Sequence, residues 1–190
     1  MVKSKQTRSF QTSLHTRADD GDGLTIEGYF AVFDKPTELW EGFHEVIERG
    51  AFTESLRDDD VVALYDHNTA NVLGRVSAGT LELREDEKGL WGSIRVNEHD
   101  TDAMNLYQRV KRGDISECSF GFSPTSETWE NRDDGSTLVR VEKVRLYEVS
   151  LVAIPAYDGT GVEARRKQAE ENSKRVLDKR KKELKERFKK

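Results

Sequence analysis

From Leu24 to Val152 the sequence is a succession of short apolar or alternating runs, each cut off by residues that favour turns. Residues 24–33 alternate and then become continuously apolar, and Asp34-Lys35-Pro36-Thr37 stops them. Similar runs occupy 44–48, 61–65, 72–76, 80–84, 90–96, 115–122, 137–141 and 145–152, with Glu87-Lys88-Gly89 as one of the intervening turns. Side chains alternate sides along a strand, so runs of this length and period build sheets. Many short strands at close spacing favour a β-rich barrel or sandwich over a parallel α/β sheet.

Two segments break the β pattern. One or two helical turns are predicted over 50–56. A full helix is predicted after Asp100 or Thr101, either of which can cap it. Ala103, Leu106, Tyr107 and Val110 give that helix an apolar stripe, and Gly113 stops it. Beyond Gly161 the composition shifts. Residues 162–190 carry 13 basic and 6 acidic side chains, a net of +7, which leaves −12 on residues 1–161 of a chain whose total is −5. Ala169, Val176, Leu177, Leu184 and Phe188 form only a thin stripe there, enough for a helical seam or a partner groove but not for a core. The organisation is therefore a body over 1–161, with 1–20 as a flexible lead-in, and a basic helical tail over 162–190. The tail reads as a solvated, partly frayed helix, with a targeting or assembly element as the alternative. It lacks aromatic interleaving and its six acids dilute its field, so nucleic acid is a poor partner for it.

Composition excludes several classes. Charged residues make up 35% of the chain, and no apolar run approaches a membrane span or a secretory leader. The one cysteine, Cys118, cannot form an internal disulfide, and no Cys/His cluster has metal-ligand spacing. No cofactor motif is present, so neither a cofactor nor a metal is expected.

The run Ile115-Ser116-Glu117-Cys118-Ser119-Phe120-Gly121-Phe122 carries the chemistry. As a strand it puts Phe120 and Phe122 on one face and Ser119 and Gly121 on the other. A core can bury the phenylalanines, leaving a small polar face open to another backbone. That suits a nucleophilic serine, and equally a bulge or plain surface. Cys118 belongs to the Phe side, where it is a small buried thiol. Of four histidines, His15 and His99 lie in polar segments and His44 has no distinctive neighbours. His67 follows a buried strand at the start of a polar turn, anchored enough for a general base, though strands often end in such residues. Glu148 lies inside an apolar and aromatic strand and must find a partner. Arg140 or Arg145 would make it structural; a histidine would make it the orienting acid of a triad.

Taken in order, these pieces resemble the prohead (head maturation) serine proteases of tailed bacteriophages, a family related to the herpesvirus assembly proteases. The resemblance covers about residues 20–160. It rests on Ile26-Glu27-Gly28-Tyr29 with Ala31-Val32-Phe33, then Glu45-Val46-Ile47 before Arg49-Gly50-Ala51-Phe52, and His67 ahead of Leu73-Gly74-Arg75. It continues through Arg112-Gly113-Asp114-Ile115-Ser116 into Ser119-Phe120-Gly121-Phe122, and Glu148-Val149-Ser150-Leu151-Val152 before Pro155-Ala156-Tyr157.

The resemblance implies Ser119 as nucleophile, His67 as general base and Glu148 as orienting acid. The herpesvirus third member is a second histidine, and none follows His99 here. Asp66 competes with Glu148 for that role but is directly adjacent to His67. Arg75, or backbone N–H groups near Gly121 or after Pro155, are candidates for stabilising an oxyanion. The implied fold is a β-rich α+β, herpesvirus-protease-like closed or partly open β-barrel with a few surrounding helices. The implied activity is a serine endopeptidase acting inside the immature capsid, in the host cytoplasm. Its substrates would be scaffold, or the scaffolding segment of the major capsid protein, and then the enzyme itself. Analogy adds a homodimer. The alternative is a noncatalytic assembly protein that retains the protease fold.

Overall fold

The computed structural model describes residues 5–19, 23–154 and 159–187. The chain divides into two units, Met1–Tyr157 and Asp158–Lys190. Within the first lie eleven strands and two helices: β1 (Gln6–Gln11), β2 (His15–Asp19), β3 (Gly23–Val32), β4 (Thr37–Trp40), β5 (Phe43–Ile47), α1 (Thr53–Asp58), β6 (Val62–Tyr65), β7 (Asn68–Arg75), β8 (Leu81–Glu85), β9 (Gly89–Arg95), α2 (Thr101–Arg112), β10 (Glu117–Asn131) and β11 (Thr137–Val152). Within residues 1–20, for which the sequence suggests a flexible lead-in, lie β1 and β2. The described residues of the second unit form one helix, α3 (Gly159–Arg187), whose Val176, Leu177 and Leu184 are exposed. Pro155 and Phe188, which the sequence reading also used, lie outside the described residues. Among the described residues, no helix is long and apolar enough to cross a membrane.

The strands form two sheets rather than a barrel. One runs β1-β10-β11-β5-β4, with β6 pairing β11 and β7; the other is β2-β3-β9-β8. The expected closed or partly open barrel therefore does not form. The physical reason lies at Thr80, a single residue that spans the corner between the sheets. Its N–H donates to the Arg75 carbonyl and its own carbonyl accepts from Arg95 N–H. One residue hydrogen-bonding in both directions turns a corner but does not continue a ladder.

The long strand β11 organises the first sheet. Its first half pairs parallel with β5 and its second half with β6. Between them α1 covers the exposed stretch of backbone. The Val144 N–H donates to the Ala51 carbonyl, and the Leu146 N–H to Ser55 Oγ at 2.7 Å. The body helix forms as its sequence predicts, with Asp100 capping through Asp102 and Ala103 N–H and Gly113 left-handed at φ 88°.

Phe120 and Phe122 are fully buried and stacked at 4.8 Å, and Phe52 meets Phe120 edge-on at 5.3 Å. This aromatic cluster lies on the face of β10 opposite Ser119. Phe120→Ala is expected to cost about 3–5 kcal/mol through lost burial and the cavity left behind. The drop should be read from the midpoint of urea unfolding.

Candidate active site

Glu148 and His67 are brought together by two local irregularities. Along β11 the buried apolar residues Val144 and Leu146, two apart, are followed by Val149 and Leu151 on the other parity, so the alternation changes phase. The register explains it: Phe122 faces Leu146 while Gly121 faces Glu148, leaving Tyr147 as a bulge. Without that extra residue, Glu148 would point with Val144 and Leu146 into the core. The bulge turns it to the opposite face, beside Gly121 and in line with Ser119 and Ser150, which face each other across β10 and β11.

His67 is placed by a two-residue hairpin turn. Tyr65 pairs with Asn68, and both Asp66 and His67 have positive φ, 55° and 57°. Two consecutive left-handed residues suit the twist of a hairpin, but glycine usually takes the second position. Here histidine takes it, at a cost of roughly 1–2 kcal/mol in backbone preference. The turn is also tied to β11, because the Asp66 N–H donates to the Leu151 carbonyl at 2.9 Å. The strained position aims the imidazole along β11 toward Glu148.

The His67 Nδ1 lies 2.8 Å from Glu148 Oε1, while Ser150 Oγ donates to Oε2 at 2.7 Å. The carboxylate is only 2% exposed and the imidazole 20%. An ionised carboxylate can only accept, so Nδ1 is the donor, and in the neutral imidazole this tautomer leaves the lone pair on Nε2. That Nε2 is buried and, among the described residues, has no hydrogen-bond partner. A neutral imidazole oriented by a carboxylate, with its far nitrogen open, is the arrangement a general base requires.

The structural alternatives for these residues do not form. Arg140 pairs with Glu130 and Glu48, and Arg145 with Asp59, so neither serves Glu148. Among the described residues, no hydrogen bond joins Asp66 to the imidazole. Arg75 is committed to Asp60 at 2.7 Å on the surface. An oxyanion donor after Pro155 would lie outside the described residues. Cys118 is fully buried among the apolar side chains, which pushes its thiol pKa well above the ordinary range and keeps it protonated.

Ser119 differs from the expectation in one respect. It shares its face with Glu148, but it is fully buried, and its Oγ donates to the Arg8 carbonyl at 2.9 Å rather than to His67. The covering strand is β1, paired antiparallel to β10 with Ser9 opposite Ser119. Sequence reasoning missed Ser150 and β1. The first had a local signal, a hydroxyl two residues beyond Glu148 on the same strand face. The second had none, because its partner strand lies more than a hundred residues away.

Gly121 lies directly beneath the acid. A Cβ there would collide with Glu148 Oε1 and come within 3.0 Å of its Cδ. Gly121→Ala is expected to push the carboxylate off His67 while the fold survives, since the displaced atoms end a flexible side chain. Misplacement on this scale should lower kcat/KM by about 10²-fold, with an unchanged circular dichroism spectrum.

Among the described residues, no group of three or more His, Cys, Asp or Glu side chains could hold a metal ion. A cavity of about 790 Å³ is lined by residues including Leu73, Arg75, His99 and Ala103, and by none of Ser119, His67 or Glu148.

Comparison with known proteins gives two matches. Residues 12–175 match the family model of caudovirus prohead serine proteases. The chain is also 25% identical over 167 residues to the prohead protease of Enterobacteria phage HK97, covering 86% of this chain and 70% of that protein. No solved structure matches.

Proposed function

The chain belongs to the caudovirus prohead serine protease family, and on that premise we propose that it is an endopeptidase of phage capsid maturation with Ser119, His67 and Glu148 as its catalytic residues. The observation that carries the assignment is the His67–Glu148 pair at 2.8 Å, whose unpartnered Nε2 accompanies a serine on the same sheet face.

In this mechanism the Ser119 hydroxyl turns from the Arg8 carbonyl to His67 Nε2. The imidazole takes its proton as Oγ attacks a peptide carbonyl, and Glu148 stabilises the imidazolium that results. His67 then protonates the departing amine, leaving an acyl-enzyme that water hydrolyses by the same route. Proton transfer through a positioned imidazole supplies about 10²–10⁴-fold of the rate.

The substrates are scaffold, or the scaffolding segment of the major capsid protein, and the enzyme itself. The place of action is the interior of the immature capsid in the host cytoplasm. Cleavage there makes assembly irreversible and clears space for DNA. The rival reading, a noncatalytic assembly protein with the same fold, draws on the complete burial of Ser119. Co-expression with the capsid protein of the same phage separates the two. Wild type should shorten the capsid protein and Ser119→Ala should not. If the capsid protein is equally intact with both, the protease reading fails.

A further inference from the structure

The strand that buries Ser119 has the geometry of a bound substrate. An extended peptide adds to an open sheet edge by backbone pairing, and its side chains settle into pockets on alternate sides. Segment β1 does this on the edge of β10, antiparallel, with Thr7 opposite Gly121 and Ser9 opposite Ser119. It presents one carbonyl, that of Arg8, 2.9 Å from Ser119 Oγ.

In a cleaved peptide, the carbonyl at the nucleophile belongs to the residue whose side chain fills the main specificity pocket. The Arg8 side chain is in such a pocket. Its Nε donates to Glu45 Oε1 at 2.7 Å and its Nη2 to Glu45 Oε2 at 3.2 Å, a two-pronged pairing with a carboxylate that is 3% exposed. Nη1 donates to the Thr7 carbonyl and Nη2 also to Gln6 Oε1, while Phe122 walls the guanidinium at 5.6 Å.

Two further observations separate β1 from an ordinary edge strand. Lys5 Nζ lies 3.6 Å from Glu148 Oε1, the same oxygen that holds His67. β1 and the residue just before it therefore reach both Ser119 and Glu148. In addition, the family match begins at residue 12, just past the end of β1. The strand that fills this edge thus lies outside the stretch that matches the family model.

Resting on Ser119 as nucleophile, we propose that Glu45 is the specificity-determining base of a pocket for arginine or lysine before the scissile bond, and that residues 6–11 occupy the cleft with Arg8–Ser9 presented for cleavage. Arginine is preferred to lysine because its planar fork matches both carboxylate oxygens. Cleavage forms an ester between Ser119 Oγ and the Arg8 carbonyl carbon and breaks the bond to the Ser9 nitrogen. His67 carries the hydroxyl proton to that nitrogen, giving a new N-terminal amine at Ser9. Water then releases residues 1–8 with a free Arg8 carboxylate. Until that happens, a substrate must displace β1 to reach Ser119.

The test uses the purified full-length chain, its Ser119→Ala, Glu45→Gln and Arg8→Leu variants, and a fluorophosphonate that labels an activated serine. Peptides spanning residues 5–12, with Arg, Lys or Leu at the position of Arg8, measure preference. Wild type is expected to begin at Ser9 by intact mass, while Ser119→Ala and Arg8→Leu keep residues 1–8. The Arg peptide should be cut about 10²-fold faster than the Leu peptide or more, and Glu45→Gln should collapse that ratio.

Labelling shows whether each variant has assembled its nucleophile. Should Glu45→Gln fail to fold, the wild-type peptide series and Arg8→Leu still decide. Labelled wild type that cuts Leu as fast as Arg overturns the pocket and leaves the protease reading standing. Labelled wild type that keeps residues 1–8 overturns Arg8–Ser9 as the bond cut. An unlabelled chain that also leaves the capsid protein whole sinks the protease reading, and the pocket with it.

Discussion

Ser119→Ala is expected to lower peptide hydrolysis by on the order of 10⁴- to 10⁶-fold, the scale on which serine triads lose activity without their nucleophile. The loss should fall on kcat, because the hydroxyl forms the bond and does little to hold the substrate. Stability should change only slightly. The side chain is small, and the Arg8 carbonyl forfeits one neutral hydrogen bond worth about 1 kcal/mol. A folded variant with undiminished turnover would show that the nucleophile lies elsewhere. Single-turnover assays on a peptide of residues 5–12, alongside a thermal melt, measure both quantities on one sample.

The second large effect is expected from Glu148→Gln, a change that preserves size and burial while removing the charge. A glutamine amide can offer its own N–H to His67 Nδ1, which favours the tautomer with the proton on Nε2. The nitrogen that should accept from Ser119 then becomes a donor. The loss of imidazolium stabilisation adds to this, and together they should cost about 10⁴-fold in kcat. Ser150 Oγ, now bonded to Oε2 at 2.7 Å, keeps a partner in the side-chain carbonyl, so the fold is expected to hold. Wild-type turnover in a folded Glu148→Gln protein would demote the pair to a structural bridge. Slower labelling by the fluorophosphonate gives an independent readout, since it follows activation of the serine and not substrate fit.

The two halves of the site differed in how readable they were. The Phe120 and Phe122 face is local information: period-two alternation puts them together whatever the rest of the chain does, and they are fully buried. The caps of α2 are local in the same way, since Asp100 and Gly113 act on their own turn. Glu148 could be singled out because a carboxylate in an apolar strand must be compensated, and its change of face was implicit in the spacing of Val144, Leu146, Val149 and Leu151. What compensates it was not legible. Arg140, Arg145 and His67 were all open to it, and only the parallel pairing of β6 with β11 brings the histidine turn alongside.

By itself the sequence determined the β-rich class, the position of the body helix and the buried aromatic face. Each follows from propensity or periodicity, which act over a few residues, whereas Ser119, His67 and Glu148 were joined as a candidate triad only by the ordered resemblance to a known family. Only the tertiary structure decided that the strands split into two sheets at Thr80, that a bulge at Tyr147 and a left-handed turn at His67 bring Glu148 and His67 together, and that β1 lies across Ser119. These depend on ladders between segments far apart in the chain, whose pairing is settled by which edges remain open once the core is packed. The Arg8–Glu45 pair belongs to this second class. Two opposite charges 37 residues apart meet because β1 docks on the far edge of β10, and no local pattern announces that.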